Sequence, residues 1–512
     1  MRTRWTTVPP REEALAAVDG PDGRPPRPGW SSLRPYVVAG LTMVLLVGGI
    51  VLLTGGAGGA GDRDAGLGRD GQVTLVVFAL AVWAWVFTSL DDTYVALGAT
   101  VSLVLLGVLS TDEMFQTLGD DTVWLLLAAF VIAAGVTSSG LATRATAYVV
   151  SAARSPRQLA HLLTAALVVT TFAVPSTSGR AALALPVFLA LAAVFADRPR
   201  LVKALALLFP TVILLSAVGS LLGAGAHLVT SEILRTAVGE GISFVDWVLL
   251  GLPLAVVSSH LAAELVLRLF TDAEERRRSL VLAPADFEAQ APGPVTGPLS
   301  VAESRAALLL AAVVVLWCSE PLHGVDPAVV ALVGALVAAS PRYGSVSLSK
   351  ALKAAPWSLL LFLAATLALG SALTSSGAAE WFARRVFSGF TDSGAAAVPF
   401  LLVVIVVSTL MHLLVQSRSA RSSVLVPIVV ALAPTVGVDP VAAAFASTAA
   451  AGFCHTLPSS AKPVALFARV EGTVTYRPPD LLRLSLFLAP LSAGLVAAFT
   501  FVVWPLLGQP YR

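Results

Sequence analysis

Long apolar segments recur along the whole chain, and they decide what it can fold into. The segments that begin at Tyr36 and at Val73 are two examples. About 20 apolar residues cross the hydrocarbon core of a bilayer, where backbone polar groups must be hydrogen-bonded within the protein. Hydrophobic residues make up 56% of the chain and charged residues 12%, against about 25% charged residues in soluble domains. The sequence therefore predicts an all-α polytopic membrane protein.

Few other functional classes are compatible with the composition. Residues 1–35 are polar and rich in Arg, Pro and Gly, without the apolar core of a signal peptide, and we expect a disordered cytoplasmic tail. The two cysteines, Cys318 and Cys454, lie far apart in apolar segments, so we expect neither a disulfide framework nor a metal cluster. The net charge of +2 indicates no nucleic-acid partner. The expected partners are membrane lipid and a small solute.

The apolar pattern predicts about eleven transmembrane helices and two re-entrant hairpins. Residues 36–72 hold the first transmembrane helix (36–54) and an external loop, 73–270 form repeat 1, 271–300 form a cytoplasmic loop, and 301–508 form repeat 2. Crossings are predicted at 73–90, 94–110, 122–148, 244–270, 302–318, 327–340, 357–386 and 482–505, and glycine- or proline-interrupted segments at 203–237 and 439–468.

A polar stretch interrupts the apolar sequence at 157–194. It reads VPSTSGRAALALP, from Val174 to Pro186, and its arginine costs roughly 2.5–3.5 kcal/mol at the bilayer centre on insertion scales. The two apolar limbs of about 15 residues each rise only about 22 Å, less than the core thickness of about 30 Å. We therefore expect a re-entrant hairpin whose tip is surrounded by protein or by a wet cavity.

The second half of the chain repeats this pattern. The tip is matched by VQSRSARSSVLVP, from Val415 to Pro427, inside a second predicted hairpin at 395–432. TSSG occurs before each hairpin, at 137–140 and 374–377. The two TSSG motifs lie 237 residues apart, and the two hairpin tips lie 241 residues apart. Five predicted crossings separate the hairpins, an odd number that places them on opposite faces. Inverted repeats with broken helices are typical of secondary transporters.

Lys and Arg in the short loops predict the orientation of the chain. With the N-terminus inside, the cytoplasmic loops carry most of these residues, including Arg154, Arg157, Arg198, Arg200 and Lys203. We therefore expect a multi-pass protein of the plasma membrane, with a cytoplasmic N-terminus and an external C-terminus.

The paired hairpin tips resemble the Ser-Asn-Thr motifs of the divalent anion:sodium symporter (DASS) family, within the ion transporter superfamily. The resemblance rests on PSTSGRAALALP and QSRSARSSVLVP, on TSSGLATR and PWSLLLFLAATLALGSALTSSG, and on SAVGSLLGAGAHL and CHTLPSSAKPVALF, and it spans residues 36–505. It implies a homodimer, a scaffold with a mobile transport domain, and elevator-like movement of an anion site held between the tips.

Helix N-termini at two hairpin tips favour an anion independently of that resemblance. The expected substrate-binding residues are Ser176, Thr177, Ser178, Gly179, Arg180, Ser417, Arg418, Ser419, Arg421 and Lys462. Na⁺ would need hydroxyl and carbonyl ligands, for which we expect Ser176, Ser178, Gly223, Gly225 and His227.

Two departures from the family pattern bear on the coupling ion. Thr177 and Arg418 stand where the two motifs have asparagine. A fixed guanidinium would repel a mobile cation, so we expect reduced Na⁺ dependence, with H⁺ coupling or anion exchange as the driving mode.

The predicted function is secondary active transport of a di- or tricarboxylate or an inorganic oxyanion such as sulfate. An arsenite- or proton-exchanging carrier of the same superfamily is the alternative. A membrane-embedded enzyme is less compatible, because the sequence has no HExxH, no Gly-x-Ser-x-Gly and no aspartate pair in its apolar segments. Structural readings also stay open: Arg180 and Arg421 could bind hairpin carbonyls, and His227 and His455 could be hydrogen-bonded core residues.

Overall fold

The structure, a computed structural model, describes residues 42–44, 47–50, 67–88, 90–290, 294–387, 393–470 and 472–512. Within these ranges the regular structure is helical, without a strand. Ten helices are long and apolar enough to cross a membrane, which confirms the predicted all-α polytopic membrane protein. The tail at 1–35 and most of the predicted first transmembrane helix lie outside the described residues.

In the described part of the chain eighteen helices carry the fold, nine before the loop at 271–300 and nine after it. The first nine are α1 (Arg69–Phe87), α2 (Asp92–Leu105), α3 (Asp121–Ser139), α4 (Leu141–Ser151), α5 (Pro156–Ala173), α6 (Thr177–Val194), α7 (Pro199–Leu215), α8 (Gly225–Val238) and α9 (Phe244–Phe270). The others are α10 (Val301–Cys318), α11 (Pro327–Ala338), α12 (Trp357–Ser375), α13 (Ala378–Phe387), α14 (Ser393–Leu410), α15 (Arg418–Leu432), α16 (Pro440–Ala451), α17 (Lys462–Ala468) and α18 (Pro478–Ala498). Shorter helices occupy Thr111–Gln116, Ala273–Arg277, Glu320–His323, Leu348–Ala354 and Trp504–Leu506.

The two TSSG motifs are helix ends, which corrects two predicted crossings. The crossings expected at 122–148 and 357–386 each divide in two, at Gly140 (φ 82°) and Gly377 (φ 70°). Only glycine adopts this left-handed conformation at no steric cost, so each long apolar run ends there. A short helix, α4 or α13, follows each break. The same local structure therefore occurs at matching positions of the two predicted repeats.

Two helical hairpins occupy the predicted places. Hairpin 1 consists of α5 and α6, joined at 174–176, and hairpin 2 consists of α14 and α15, joined at 411–417. Each limb of hairpin 1 has 18 residues and rises about 27 Å, just short of a hydrocarbon core of about 30 Å. The membrane depth of the tips and the inverted orientation of the repeats stay predictions.

Each hairpin is followed by a broken helix. In the first, α7 ends at Leu215, two 3₁₀ turns (Ser216–Gly219 and Leu221–Gly223) follow, and α8 starts at Gly225. A Cβ on Gly223 would lie 1.9 Å from the Ala217 carbonyl oxygen, so only glycine permits this turn. In the second, α16 ends at Ala451 and α17 starts at Lys462. We call residues 216–224 the first break and 452–461 the second break.

The first broken helix lies inside the molecule. The window of α7 and its 3₁₀ extension is 94% buried. Helices α2 and α12 run parallel, because the Thr93 hydroxyl donates to the Ser358 carbonyl and the Thr100 hydroxyl to that of Ala365. Their N-terminal ends therefore lie at the same level.

Candidate functional site

The two hairpin tips have the same cap geometry. Ser176 caps α6 by accepting a hydrogen bond from the Gly179 amide at 3.3 Å, and Ser417 caps α15 by accepting one from the Ala420 amide at 3.3 Å. These serines are the third residues of VPSTSGRAALALP and VQSRSARSSVLVP, the two matched stretches of the sequence. The first-turn N–H groups at each tip form a positive end that favours negative charge.

Arg180 is fully buried and bonded to protein on every side of its guanidinium. Its Nε donates to the Thr170 hydroxyl at 2.9 Å, Nη1 to the Ile213 carbonyl at 3.0 Å, and Nη2 to the Leu167 carbonyl at 2.6 Å and the Ser216 hydroxyl at 2.7 Å. The side chain thus ties both limbs of hairpin 1 to the end of α7. Partial negative charge at helix C-termini stabilises a cation there.

Arg421 occupies the matching position of hairpin 2 but has fewer partners. Its Nη1 donates to the Phe453 carbonyl at 3.1 Å and its Nε to the Ser417 carbonyl at 3.4 Å. The buried Nη2 has no hydrogen-bond partner among the described residues. Phe453 lies in the second break, so each arginine connects its hairpin to the broken helix that follows it.

Arg418 differs from both of these arginines in how few hydrogen bonds its guanidinium makes to the described residues. Its Nε and Nη1 are buried and lack a hydrogen-bond partner in the described part of the chain. It lines a cavity of about 10 Å³, room for about one water molecule. The cavity is walled by residues of the α7 end, α9, α16, the second break and α18, including Leu215, Val218, Ser258, Ala449, Gly452 and Ser492.

The first break lies between the two hairpins. The Thr171 hydroxyl of hairpin 1 donates to the Ala217 carbonyl at 3.5 Å. On the other side, a Cβ on Gly225 would lie 3.2 Å from the Ser419 hydroxyl of hairpin 2. The structure therefore brings Gly223, Gly225, Arg180 and Ser419 into one neighbourhood.

His227 belongs to the packing of this break. Its Nδ1 bonds the Ser220 carbonyl at 2.9 Å, and its ring stacks on Trp247 with centroids 4.8 Å apart. Its Nε2 is buried without a partner among the described residues, as is the Ser220 hydroxyl. The carbonyls of Ser220 and Ala224 each already accept one backbone hydrogen bond.

The remaining predicted residues lie at the rims of the tips. Ser176, Thr177, Ser178 and Gly179 are half-buried, and Lys462 is exposed at the start of α17. Lys462 lies near the Asp92 carboxylate, which also interacts with the Ser417 side chain. Hairpin 1 reaches α17 through Phe188, whose ring is 5.5 Å from that of Phe467. The structure places Lys462 near the tip of hairpin 2 and α17 against hairpin 1.

Sequence reasoning missed several polar residues around the tips. Asp92 starts α2, a helix with no motif of its own, and Ser422 is buried in α15 with an unpartnered hydroxyl in the described structure. His455 in the second break has a buried, unpartnered Nε2 by the same criterion. Ser422 follows Arg421 directly and could have been found by extending the motif; nothing in the sequence marks Asp92.

One acidic cluster has the spacing of a cation site. Among the described residues, Asp120, Asp121 and Glu232 bring carboxylate oxygens within 4.8 Å of one another. Arg235 makes salt bridges to all three, at 2.5, 3.2 and 2.8 Å. The arginine supplies the positive charge, and the cluster fastens α8 to the start of α3.

Comparison with known proteins decides the family. The sequence model described as the sodium:sulfate symporter transmembrane region matches residues 60–508. The chain belongs to this family. The resemblance to the DASS family predicted from the hairpin tips is thereby confirmed, and the chain is a membrane transporter rather than an enzyme.

Individual relatives are distant but cover most of the chain. A protein named only as a membrane protein, from Cupriavidus necator, is 26% identical over 74% of this chain and 76% of its own length. The sodium-dependent dicarboxylate transporter SdcS of Staphylococcus saprophyticus is 22% identical over 84% of this chain and 87% of its own. The solved structure of the Alcanivorax borkumensis YdaH transporter aligns with a TM-score of 0.53 at 16% identity, over 93% of this chain and 99% of that one, and shows the fold alone.

Proposed function

We propose that this protein is a secondary active transporter of small anions, either di- and tricarboxylates or an inorganic oxyanion such as sulfate, that works by elevator-type alternating access. The single observation that carries the proposal is Arg418. A buried guanidinium with two unpartnered nitrogens is costly, because each unsatisfied donor loses its hydration without a replacement. An anionic oxygen is the partner that satisfies it best.

The surroundings of Arg418 suit an anion of modest size. The capped tips of α6 and α15 supply N–H groups and positive helix ends, and hydroxyls at Ser178 and Ser419 add neutral donors. Arg180 is committed to protein acceptors, so we assign it to positioning the hairpin and Arg418 to the substrate. The cavity beside Arg418 holds only about 10 Å³, and a carboxylate or sulfate enters only after the hairpins move.

Movement of the hairpins past α2 and α12 provides that opening. The Asp92 carboxylate at the start of α2 interacts with Ser417, and Leu359 in the first turn of α12 packs where a Cβ on Gly225 would lie. By the predicted orientation these helix starts face the cytoplasm, so the tip of hairpin 2 is close to the cytoplasmic side. We infer an inward-directed state, a homodimer in the plasma membrane, and a cytoplasmic N-terminus.

Arg418 also bears on the coupling ion. The family couples transport to sodium by its description, and SdcS is named as sodium-dependent. In this chain a fixed charge about 4 Å from a bound Na⁺ would repel it by roughly 4 kcal/mol at an effective dielectric constant near 20. That repulsion corresponds to about a thousandfold in affinity. We therefore propose weak Na⁺ dependence, with proton coupling or anion exchange.

Uptake into liposomes tests the function directly. Purified protein is screened with succinate, citrate, sulfate and arsenite, and with choline as a cationic control, with and without a sodium gradient. Uptake of carboxylates or sulfate is expected, and stabilisation by these anions should appear as a raised melting temperature. Transport of choline or arsenite alone would reject the assignment, and steep Na⁺ dependence would reject the role of Arg418 in coupling.

The first variant to compare is Arg418→Asn, which places the family's asparagine in this chain. Loss of one charge-assisted hydrogen bond of about 1.5–3 kcal/mol should weaken anion affinity about 10- to 100-fold, while Na⁺ dependence increases. The matched control is Arg342→Asn, which removes an exposed arginine from a loop. Unchanged anion affinity in Arg418→Asn would show that the guanidinium does not meet the substrate.

A further inference from the structure

A chain of titratable groups joins hairpin 1 to α9, away from the tips. His161 Nε2 is 2.7 Å from Glu264 Oε1, and His161 Nδ1 is 2.8 Å from His260 Nδ1. Arg157, one turn before His161, bonds the same Glu264 oxygen at 2.5 Å. Two pairs spaced four residues apart, one on α5 and one on α9, thus face each other. None of these residues belongs to the motifs that mark the transport site.

The hydrogen-bond geometry fixes where the protons are. Glu264 is paired with the guanidinium of Arg157, which favours its carboxylate form, and His161 then donates to that carboxylate from Nε2. A neutral His161 then has a lone pair at Nδ1, and His260 must donate to it from its own Nδ1. Each imidazole therefore carries one proton. The Nε2 of His260 carries none, so its lone pair can accept a further proton.

This arrangement can accept one more proton in a balanced way. The proton binds His260 at Nε2, and the His260 Nδ1 proton passes to His161 Nδ1 along the hydrogen bond of 2.8 Å. His161 becomes an imidazolium beside the Glu264 carboxylate, while His260 is neutral again. One proton enters and none leaves, and the new charge lies next to its counter-ion.

Other charged groups nearby are engaged elsewhere. Arg268 approaches the second Glu264 oxygen at only 3.9 Å. On the elements packed against α5 and α9, Arg144 pairs with Glu303, Arg200 with Asp272, and Lys203 with Asp480. In the short helix after α9, Glu275 pairs with Arg198 and Arg276 donates to the Thr271 carbonyl. Glu274 and Arg277 are the neighbours of these two residues in the same helix. Arg305 on α10 donates to the Arg342 carbonyl, and Arg483 on α18 lies over the Phe270 ring.

The group is exposed at one end. The Arg157 side chain is 64% exposed and that of His161 is 31% exposed. Arg157 lies in the first turn of α5, on the predicted cytoplasmic side. On α9, Ser258, which lines the Arg418 cavity, precedes His260 by only two residues. One turn of α9 therefore carries both Ser258, beside the site proposed for the anion, and His260 of the histidine pair.

We propose that His161, His260 and Glu264 form a proton-binding site that takes up one proton from the cytoplasmic side together with the anion. The positive charge offsets part of the negative charge that the substrate brings into the membrane, and it strengthens the contact of hairpin 1 with α9. The coupling to an anion rests on the proposed function. The sharing of a proton by the two imidazoles is independent of the proposed function, because it is inferred from the geometry of these residues.

The experiment compares His260→Gln with His323→Gln, which removes a histidine at the end of the exposed Glu320–His323 turn. With six histidines in the chain, the ¹⁵N signals of each imidazole can be followed through a pH titration in detergent. His161 and His260 should protonate together, at one midpoint. In His260→Gln the midpoint of His161 should move, and in His323→Gln it should not. An unmoved His161 midpoint in His260→Gln overturns the proton site, whether or not an anion binds.

Calorimetry then tests the coupling. Binding of succinate or sulfate in buffers of different ionisation enthalpy should show uptake of one proton per anion by the native chain and by His323→Gln, and none by the double variant His161→Gln/His260→Gln, which lacks both imidazoles. In Glu264→Gln the uptake should shift to lower pH, because the imidazolium loses its counter-ion. Equal proton uptake by the native chain and the double variant overturns the coupling. Absence of anion binding by the native chain instead refutes the proposed function, and the titration still decides the proton site.

Discussion

Arg180 and Arg421 show how one sequence position can acquire two different environments. They occupy matching positions in the two motifs, lie in the first turn of α6 and of α15, and donate to a carbonyl of the broken helix that follows each hairpin. Arg180 makes four hydrogen bonds, whereas Arg421 makes two and keeps one buried nitrogen unpartnered in the described structure. The difference follows from Thr170 and Ser216, which supply hydroxyl acceptors for which hairpin 2 has no match.

Replacing each arginine by glutamine should separate these environments. A hydrogen bond from a charged donor is worth about 1.5–3 kcal/mol, and glutamine can keep only part of the set. We expect Arg180→Gln to lower stability by roughly 3 kcal/mol and Arg421→Gln by about 1 kcal/mol. Melting temperature in detergent, with expression level as a check, measures both. Equal losses, or a loss of transport by Arg180→Gln without a loss of stability, would argue that Arg180 contacts substrate.

At this scale the sequence predicted which residues matter better than what they do. The serines and arginines of the hairpin tips were found from the paired motifs, and Gly223 from the glycine-interrupted segment that follows hairpin 1. Their hydrogen-bond partners were not, because Leu167, Ile213 and Phe453 contribute backbone carbonyls that no side-chain pattern reveals. The same holds for His161 and His260, which lie on separate helices and show no relation in sequence.

At the scale of elements, glycine decides where the helices break. Hydropathy predicts continuous apolar helices at 122–148 and 357–386, because a single glycine in the left-handed conformation hardly changes the mean hydropathy of a segment. The TSSG repeat carried the missing signal: it marked the matching helix ends as well as the repeat. Broken helices were easier to predict, because SAVGSLLGAGAH places three glycines within 12 residues.

Gly223→Ala tests whether the first break is obligatory. The added Cβ would lie 1.9 Å from the Ala217 carbonyl oxygen and 2.7 Å from the Thr171 hydroxyl, so the backbone of the break must shift. We expect loss of transport and a lower melting temperature. Gly494→Ala in α18 is the control, because nothing lies within 4 Å of its added Cβ, and alanine favours a helix by up to about 1 kcal/mol. Normal transport by Gly223→Ala would mean that the break relaxes without functional cost.

At the scale of the whole molecule, the predicted anion site lies between elements with different surroundings. Hairpins, broken helices and α9 share one set of contacts, including the aromatic rings of Phe188, Phe209 and Phe467. Helices α2 and α12 are joined to each other by parallel hydrogen bonds. They meet the first set near their N-terminal ends, where Asp92 interacts with Ser417, and along α8, where Ile233 lies 3.9 Å from the Cβ position of Gly370. An elevator needs such a boundary between a moving and a fixed part.

A reversible cross-link across that boundary tests the movement. Leu359 Cδ1 lies 2.9 Å from the Cβ position of Gly225, so Gly225→Cys and Leu359→Cys place two thiols within reach of a bridging mercuric ion. Cys318 and Cys454 are first replaced by serine and alanine to remove the native thiols. In an elevator, α8 slides along α12, and the mercury bridge should abolish anion uptake until a reducing thiol restores it. Each single cysteine should transport with and without mercury. Undiminished uptake by the bridged pair would mean that α8 and α12 keep their contact throughout the cycle, and that access alternates by motion of the hairpin tips alone.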